Sequence, residues 1–230
     1  MAEFTLEFIT GEKRKIKGFN FKDAFERAVS KQDDMSGLIL CGRGIDFIDL
    51  SGAALRHANF KNAYFDEVDF SRCDLVAANF DGAILSRCHF NNANAPRITF
   101  NAAEIHDCFF GNSDFDSSEF NNACVFGGDF QKTDLNWAQM QGASFVHSLF
   151  YYSNMQHFSA KDTRFMGCGF GVDQLQCADF KQCSFVSCYF DDAHSYASGP
   201  KVEKSKFRDC EYYSSRADLS MKVFRKGCNK

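Results

Sequence analysis

Leu50-Ser-Gly-Ala-Ala-Leu55-Arg-His-Ala-Asn-Phe60-Lys-Asn-Ala-Tyr-Phe65-Asp-Glu-Val-Asp-Phe70 carries a large apolar residue at every fifth position, and the pattern continues to Phe190. From Leu50 to Phe190, 27 of the 29 positions at multiples of five are Leu, Ile, Val, Met or Phe, the exceptions being Ala95 and Ala160. Seventeen of them are Phe, so most of the 28 Phe in the chain belong to one pattern. Two places before each centre sits a mostly small residue, as at Ala53, Ala58, Cys73, Ala78, Cys88 and Cys108. The residue directly before the centre is often Asn or Asp, as in Ala58-Asn59-Phe60 and Cys73-Asp74-Leu75. A period of five matches neither 3.6 nor 2.0, so neither an amphipathic helix nor a simple alternating strand explains it.

Five residues can form one side of a square. The large centre and the small residue before it point inward, the other three face water, and four sides make a coil of about 20 residues. Stacked coils lie about 4.8 Å apart, which makes the seven coils from Leu50 to Phe190 roughly 34 Å long. Such repeats bury their apolar side only against neighbouring coils. The motif A-(D/N)-(L/F)-x-x resembles that of the pentapeptide repeat family over residues 40 to 195. The resemblance implies an all-β solenoid, a right-handed quadrilateral parallel β-helix.

Outside the repeat, three boundaries are read. Residues 1–37 form a small α+β cap: Phe4 to Ile9 alternates like a strand, Arg14 to Lys17 returns, and Asn20 caps an amphipathic helix with Phe21, Phe25, Ala28 and Val29 on one side. Residues 38–195 are the repeat, beginning softly at Leu40 and Ile45. Residues 196–230 read as an irregular last coil and a basic cap or tail, with Ser220 to Lys226 a short helix. Pro96, inside the repeat, is expected to mark a bulge or short loop. Phe158-Ser159-Ala160 reverses the usual small-before-large order, and local repacking is expected there.

Composition narrows the function. Neither a charged-then-apolar leader nor a run of 18 apolar residues is read, so the expectation is a cytoplasmic protein, bacterial or phage, with no membrane contact. Six of the 11 Cys occupy the small inward position, which reads as core packing rather than disulfides. Cys88 and Cys108, and likewise Cys168 and Cys188, are expected to stack on adjacent coils. The six His, namely His57, His89, His106, His147, His157 and His194, share no ligand spacing, and neither a phosphate loop nor a nucleophile motif is seen. The chain is therefore expected to be no enzyme and to need neither cofactor nor metal.

Positions 20 apart should form columns along the rod. Asp74, Asn94, Asp114, Asp134 and Asn154 make one, with Asp116 beside it; an edge nearer the start holds Asp66, Glu67 and Asp69, continued by Asp107 and Asp129. Residues 51 to 198 carry 17 acidic and 9 basic side chains, a net of −8, against +5 for residues 199 to 230. The acidic rod is not expected to bind nucleic acid directly; only the basic tail from Lys201 to Lys230 could touch DNA, and weakly. The same Asp and Asn also suit turn geometry and solubility. A second column, Phe126, Val146, Met166 and Val186, is apolar, with Phe109, Leu149 and Tyr189 assigned to its neighbour. Such a patch implies cover by the chain's own termini, a homodimer or a partner.

The resemblance extends to Qnr-type and MfpA-type family members, which bind bacterial type II topoisomerases and alter their inhibition by quinolones. It implies a non-enzymatic protein-binding module that mimics DNA before a topoisomerase such as DNA gyrase, its carboxylates replacing phosphates. This chain differs in its additional N-terminal unit. The alternative is a rigid scaffold or effector that binds an unrelated protein through the apolar stripe.

Overall fold

A computed structural model describes residues 1–171, 175, 177–192 and 204–214. It is a parallel β-solenoid with four sides per coil. We call the sides A to D after their centres: Ile45, Phe65 and on to Phe185 on side A; Leu50, Phe70 and on to Phe190 on side B; Leu55 and Leu75 on side C; Phe60 and Phe80 on side D. Side A is a nine-stranded parallel sheet of three-residue strands, from Gly44–Asp46 to Lys206–Arg208. Eight spacings of about 4.8 Å make it about 38 Å long. The register is 20 residues from strand to strand until the last step, where Phe185 pairs with Phe207. That step is 22 residues, so the segment before Lys206 holds two extra residues and then rejoins the ladder in phase. Of the last coil and basic tail expected over 196–230, residues 196–203 and 215–230, the expected helix from Ser220 to Lys226 among them, lie outside the described residues.

The ladder explains the motif letter by letter. The amide of each centre donates to the coil above, as Leu55 N–H to the Asp74 carbonyl (2.8 Å). The residue before the centre donates to the coil below, as Asp74 N–H to Ala53 (2.9 Å). Outside the strands, the amide after the centre has no main-chain partner of this kind. At Ser71, Asp116, Gln131 and Asn136 it is met by the Asp side chain two residues earlier, at 2.8 to 3.0 Å. Asp and Asn therefore precede the centre because their carboxylate or amide oxygen closes this turn. Cys, Ser and Thr at the small position likewise donate inward to a carbonyl of the preceding coil, as Cys73 Sγ to Leu50 (3.0 Å) and Thr133 Oγ1 to Phe110 (2.9 Å). Burial pushes the Cys73 and Cys183 thiols up to about 12, which keeps them protonated donors.

Pro96 corrects a sequence expectation. It occupies the position whose amide the ladder does not use, so no bulge forms: Ala95 and Arg97 donate to Asp114 and Asp116 at 2.9 and 2.8 Å, and the Pro96 carbonyl accepts from Ala77. Phe158 and Ala160 are both fully buried, and the main-chain ladder through them is regular. The reversal is absorbed by side chains alone, the Phe158 ring lying 5.5 Å from Phe180.

The core is a set of ring columns. Phe70, Phe90, Phe110, Phe130, Phe150, Phe170 and Phe190 stack in one unbroken column, with centroids 4.5 to 5.2 Å apart and planes within 22°. Gly128 serves this column. A Cβ there would stand 2.7 Å from Phe130 Cε2 and 2.8 Å from Val125 Cγ1, and Phe130 is clamped between two rings. Although Ala is the usual residue at this repeat position, Gly128→Ala is expected to destabilise the rod by about 1–3 kcal/mol by overpacking. A lowered guanidinium midpoint checks this; an unchanged one would mean that the ring slides aside.

The first coil is closed by the cap. Strands β1 (Ala2–Phe8) and β2 (Lys13–Gly18) form a hairpin, and β3 (Leu38–Ile39) pairs with β1 while its Ile39 bridges to Asn59 of the next coil. Helix α1 (Phe21–Ser30) lays Ala24, Phe25 and Ala28 over this junction. Its start is a reciprocal cap: Asn20 Oδ1 accepts from Asp23 N–H, and Asp23 Oδ2 accepts from Phe19 N–H, both at 2.8 Å. Arg27 and this amide hold the Asp23 carboxyl below its usual range. Glu26 reaches the rod itself, accepting from Asp49 N–H at 3.1 Å.

Candidate functional site

The acidic residues singled out by sequence do not form one face. Asp74, Asp114, Asp116 and Asp134 lie on side C. Asp69 and Asp129 open side B, and Asp66, Glu67 and Asp107 lie on side A or its corner with B. The side C column is in register, with bridges linking Asp74, Asn94, Asp114, Asp134 and Asn154 in turn. Asparagines tie it together: Asn94 Nδ2 donates to Asp74 at 3.2 Å, Asn154 Nδ2 to Asp134 at 3.0 Å, and Asn136 Nδ2 to Asp116 at 2.9 Å. Arg56 pairs with Asp74 at 3.0 Å. The adjacent Asp114 and Asp134 each fix one oxygen on the turn amide two residues on. Side C thus holds oriented carboxylates whose rotamers are set before any partner arrives.

The corner group is different. Arg87 contacts Asp66 at 2.6 Å and Glu67 at 2.9 Å, and the Asp66 side chain is only 16% exposed. One guanidinium therefore offsets half of that acidic pair. Arg87 stands 20 residues after Glu67, so the column spacing that located the acids also locates their counter-ion. A second missed feature is Trp137, 55% exposed at a corner of side C with a left-handed φ of 57°. A bulky residue rarely adopts that backbone. Its indole stacks on His157, again 20 residues on, at 4.3 Å and 8°.

The apolar column on side A is continuous: His106, Phe126, Val146, Met166, Val186 and Arg208 are successive register partners. Phe126 is 47% exposed and the next three are half-buried. The second apolar column does not hold together. Phe109, Asp129, Leu149, Gly169 and Tyr189 follow one another on side B, so Asp129 interrupts it. Tyr151 fills the space over Gly169, its ring and hydroxyl standing where a Cβ would be. Two clefts border the cap, one lined by Thr5, Phe21, Ile39 and Arg43, the other by Glu26, Val29 and Asp49. Among the described residues no three His, Cys, Asp or Glu side chains converge as a metal site, and no helix is long and apolar enough to cross a membrane.

Comparison with known proteins follows from this geometry. The family model described as pentapeptide repeats matches residues 48–87 and 73–97, with eight copies. No curated protein matches the sequence. Among solved structures, HetL, a pentapeptide repeat protein involved in heterocyst differentiation regulation in Nostoc sp. strain PCC 7120, is 14% identical with a TM-score of 0.37. That alignment covers 84% of this chain and 95% of HetL. A trypsin-treated variant of QnrB1, a plasmid-mediated fluoroquinolone resistance protein, is 17% identical over 81% of this chain and 95% of its own, with a TM-score of 0.44. A pentapeptide repeat protein of the Arabidopsis thaliana thylakoid lumen is 22% identical over 49% of this chain and 61% of its own, with a TM-score of 0.32. Residues 48–97 are thus pentapeptide repeats, and the same four-sided winding with buried apolar centres continues from them to Phe190.

Proposed function

We propose that the chain is a rigid, non-enzymatic protein-binding rod that offers side C to a partner with a basic, DNA-gripping surface. The partner class comes from the resemblance to Qnr-type and MfpA-type family members, and a type II topoisomerase such as DNA gyrase is the first to test. The observation that supports this reading is the Asp114–Asp134 step: two carboxylates on adjacent coils, each held by its own turn amide. Coils spaced by about 4.8 Å fix the charges at a constant interval. Pre-set rotamers spare the ordering cost that flexible acids meet on binding. Lys and Arg lining a DNA channel are attracted to such a row as they are to phosphates.

The test is a gyrase supercoiling assay with the purified protein, with and without a quinolone, at low and high salt. Inhibition or drug protection is expected at low salt and should fade as the screening length falls to about 10 Å near 0.1 M. The triple variant Asp114→Asn, Asp116→Asn, Asp134→Asn should lose the effect. Asp74→Asn should retain most of it, because Arg56 already neutralises Asp74. No effect of the native protein at low salt, or a triple variant as active as the native one, would sink the reading.

A further inference from the structure

The corner where side C meets side D carries an unfinished stack. Coil by coil, its column reads Arg97, Ser117, Trp137 and His157. The Trp137 indole lies on the His157 ring at 4.3 Å and 8°. His157 is one coil after it, so the other indole face looks toward Ser117, one coil before, whose side chain is too short to continue the stack. At the foot of that open face stands a fixed carboxylate. Asp116 Oδ2 accepts from the Ser117 hydroxyl, and Asp116 Oδ1 from Nδ2 of Asn136, the residue next to Trp137, both at 2.9 Å. Each oxygen keeps a further lone pair for a partner. The stretches that frame this notch, 111–119 and 131–139, carry Asp114, Asp116, Glu119 and Asp134 against one base, Lys132. No guanidinium of the chain fills it: among the described residues those lying over rings are Arg14 over Phe8 and Arg27 over Phe19.

We propose that this notch is a subsite for one arginine side chain of the basic partner, its guanidinium stacked on the open face of Trp137 and paired with Asp116. The subsite rests on side C as the partner-facing side and adds a residue preference to it. Its occupant follows from two requirements that the notch sets together. A third layer of the stack, one coil before Trp137, has to be flat. The carboxylates around it call for positive charge. A guanidinium is planar, always charged, stacks on aromatic faces and meets a carboxylate with two N–H groups. A lysine ammonium supplies the charge without the plane. A nucleobase supplies the plane, but its phosphates are repelled by the surrounding carboxylates. An apolar side chain would strip water from Asp116 and return no hydrogen bond. The carboxylate row attracts any cation, and the indole, the best aromatic acceptor of a cation, is what separates Arg from Lys.

Trp137 is the only Trp in the chain, so its emission reports on the notch itself. The test titrates the full chain at low salt with end-blocked hexa-arginine and hexa-lysine peptides, following Trp emission and, in parallel, the heat of binding. Hexa-arginine should change the emission saturably and bind about tenfold more tightly than hexa-lysine. Trp137→Leu should leave the two peptides equal, since the carboxylates remain. Asp116→Asn should weaken hexa-arginine more than hexa-lysine. Equal affinities in the native chain, hexa-arginine binding that leaves the emission unmoved, or a preference that survives Trp137→Leu would each overturn the proposal. No topoisomerase enters the titration, so the two readings fail separately. A gyrase indifferent to the protein removes the proposed partner while an arginine preference stands; a gyrase effect alongside equal peptide affinities removes the notch alone.

Discussion

Phe130→Ala is expected to destabilise the protein by about 3–5 kcal/mol, the usual cost of replacing a fully buried aromatic ring by a methyl group. Phe130 stacks between Phe110 at 4.5 Å and Phe150 at 5.1 Å, and it meets Phe120 and Phe145 edge-on at 5.7 and 6.1 Å. Its loss removes contacts to coils above and below at once. In a solenoid each coil is stabilised through its two neighbours, so a gap at mid-rod also uncouples the halves. Guanidinium unfolding should therefore show a lower midpoint together with a broadened or split transition. Phe207→Ala, at a half-buried ring on the last described coil, should cost roughly half as much because less apolar area is lost. A loss below about 1 kcal/mol for Phe130→Ala would mean that the coils collapse onto the gap, which close-packed ring columns do not readily do.

This column was legible in the sequence because a period of five fixes both the inward positions and the 20-residue register. The hairpin and helix of the cap were legible for the ordinary reasons, alternation in Phe4 to Ile9 and a cap at Asn20. Proline is a loss to a generic ladder, so the sequence alone points to a bulge at Pro96. On side C the amide after the centre is met by a side-chain acceptor and not by the ladder, so a residue without N–H costs nothing there. The surface was harder to read. Columns were counted correctly, but residues a few places apart turn a corner: Glu67 and Asp74 belong to different sides, and Phe109 shares a column with Asp129. Composition within a window therefore overstated one acidic face. The neutralising role of Arg87 and the Trp137–His157 stack both obey the 20-residue spacing. The same spacing that lines up the acids therefore also lines up their counter-ion and this aromatic pair.

Phe158→Ala is the second large effect expected, and its reversal by a compensating change is the sharper test of how this core is built. Along side D the centres Phe60, Phe80, Phe100 and Phe120 stack at 4.7 to 5.1 Å, then give way to Met140 and Ala160 before Phe180. Phe158 enters from the small position of the same repeat and is fully buried, so it occupies volume that a centre would otherwise fill. Removing it leaves alanine at both inward positions of one repeat. The cost should be about 3 kcal/mol, at the low end for Phe→Ala because the flexible Met140 and Met155 side chains can lean into the space. Ala160→Phe alone should cost about 1–3 kcal/mol by overpacking against the Phe158 ring. Together the two changes restore small-before-large order on a main-chain ladder that is already regular at Ser159, Ala160 and Asp179. The double variant should then be more stable than either single one, with a coupling of opposite sign to the individual losses. Additive losses in that cycle would show that Phe158 is held by contacts of its own corner, and that the repeat order there is not interchangeable.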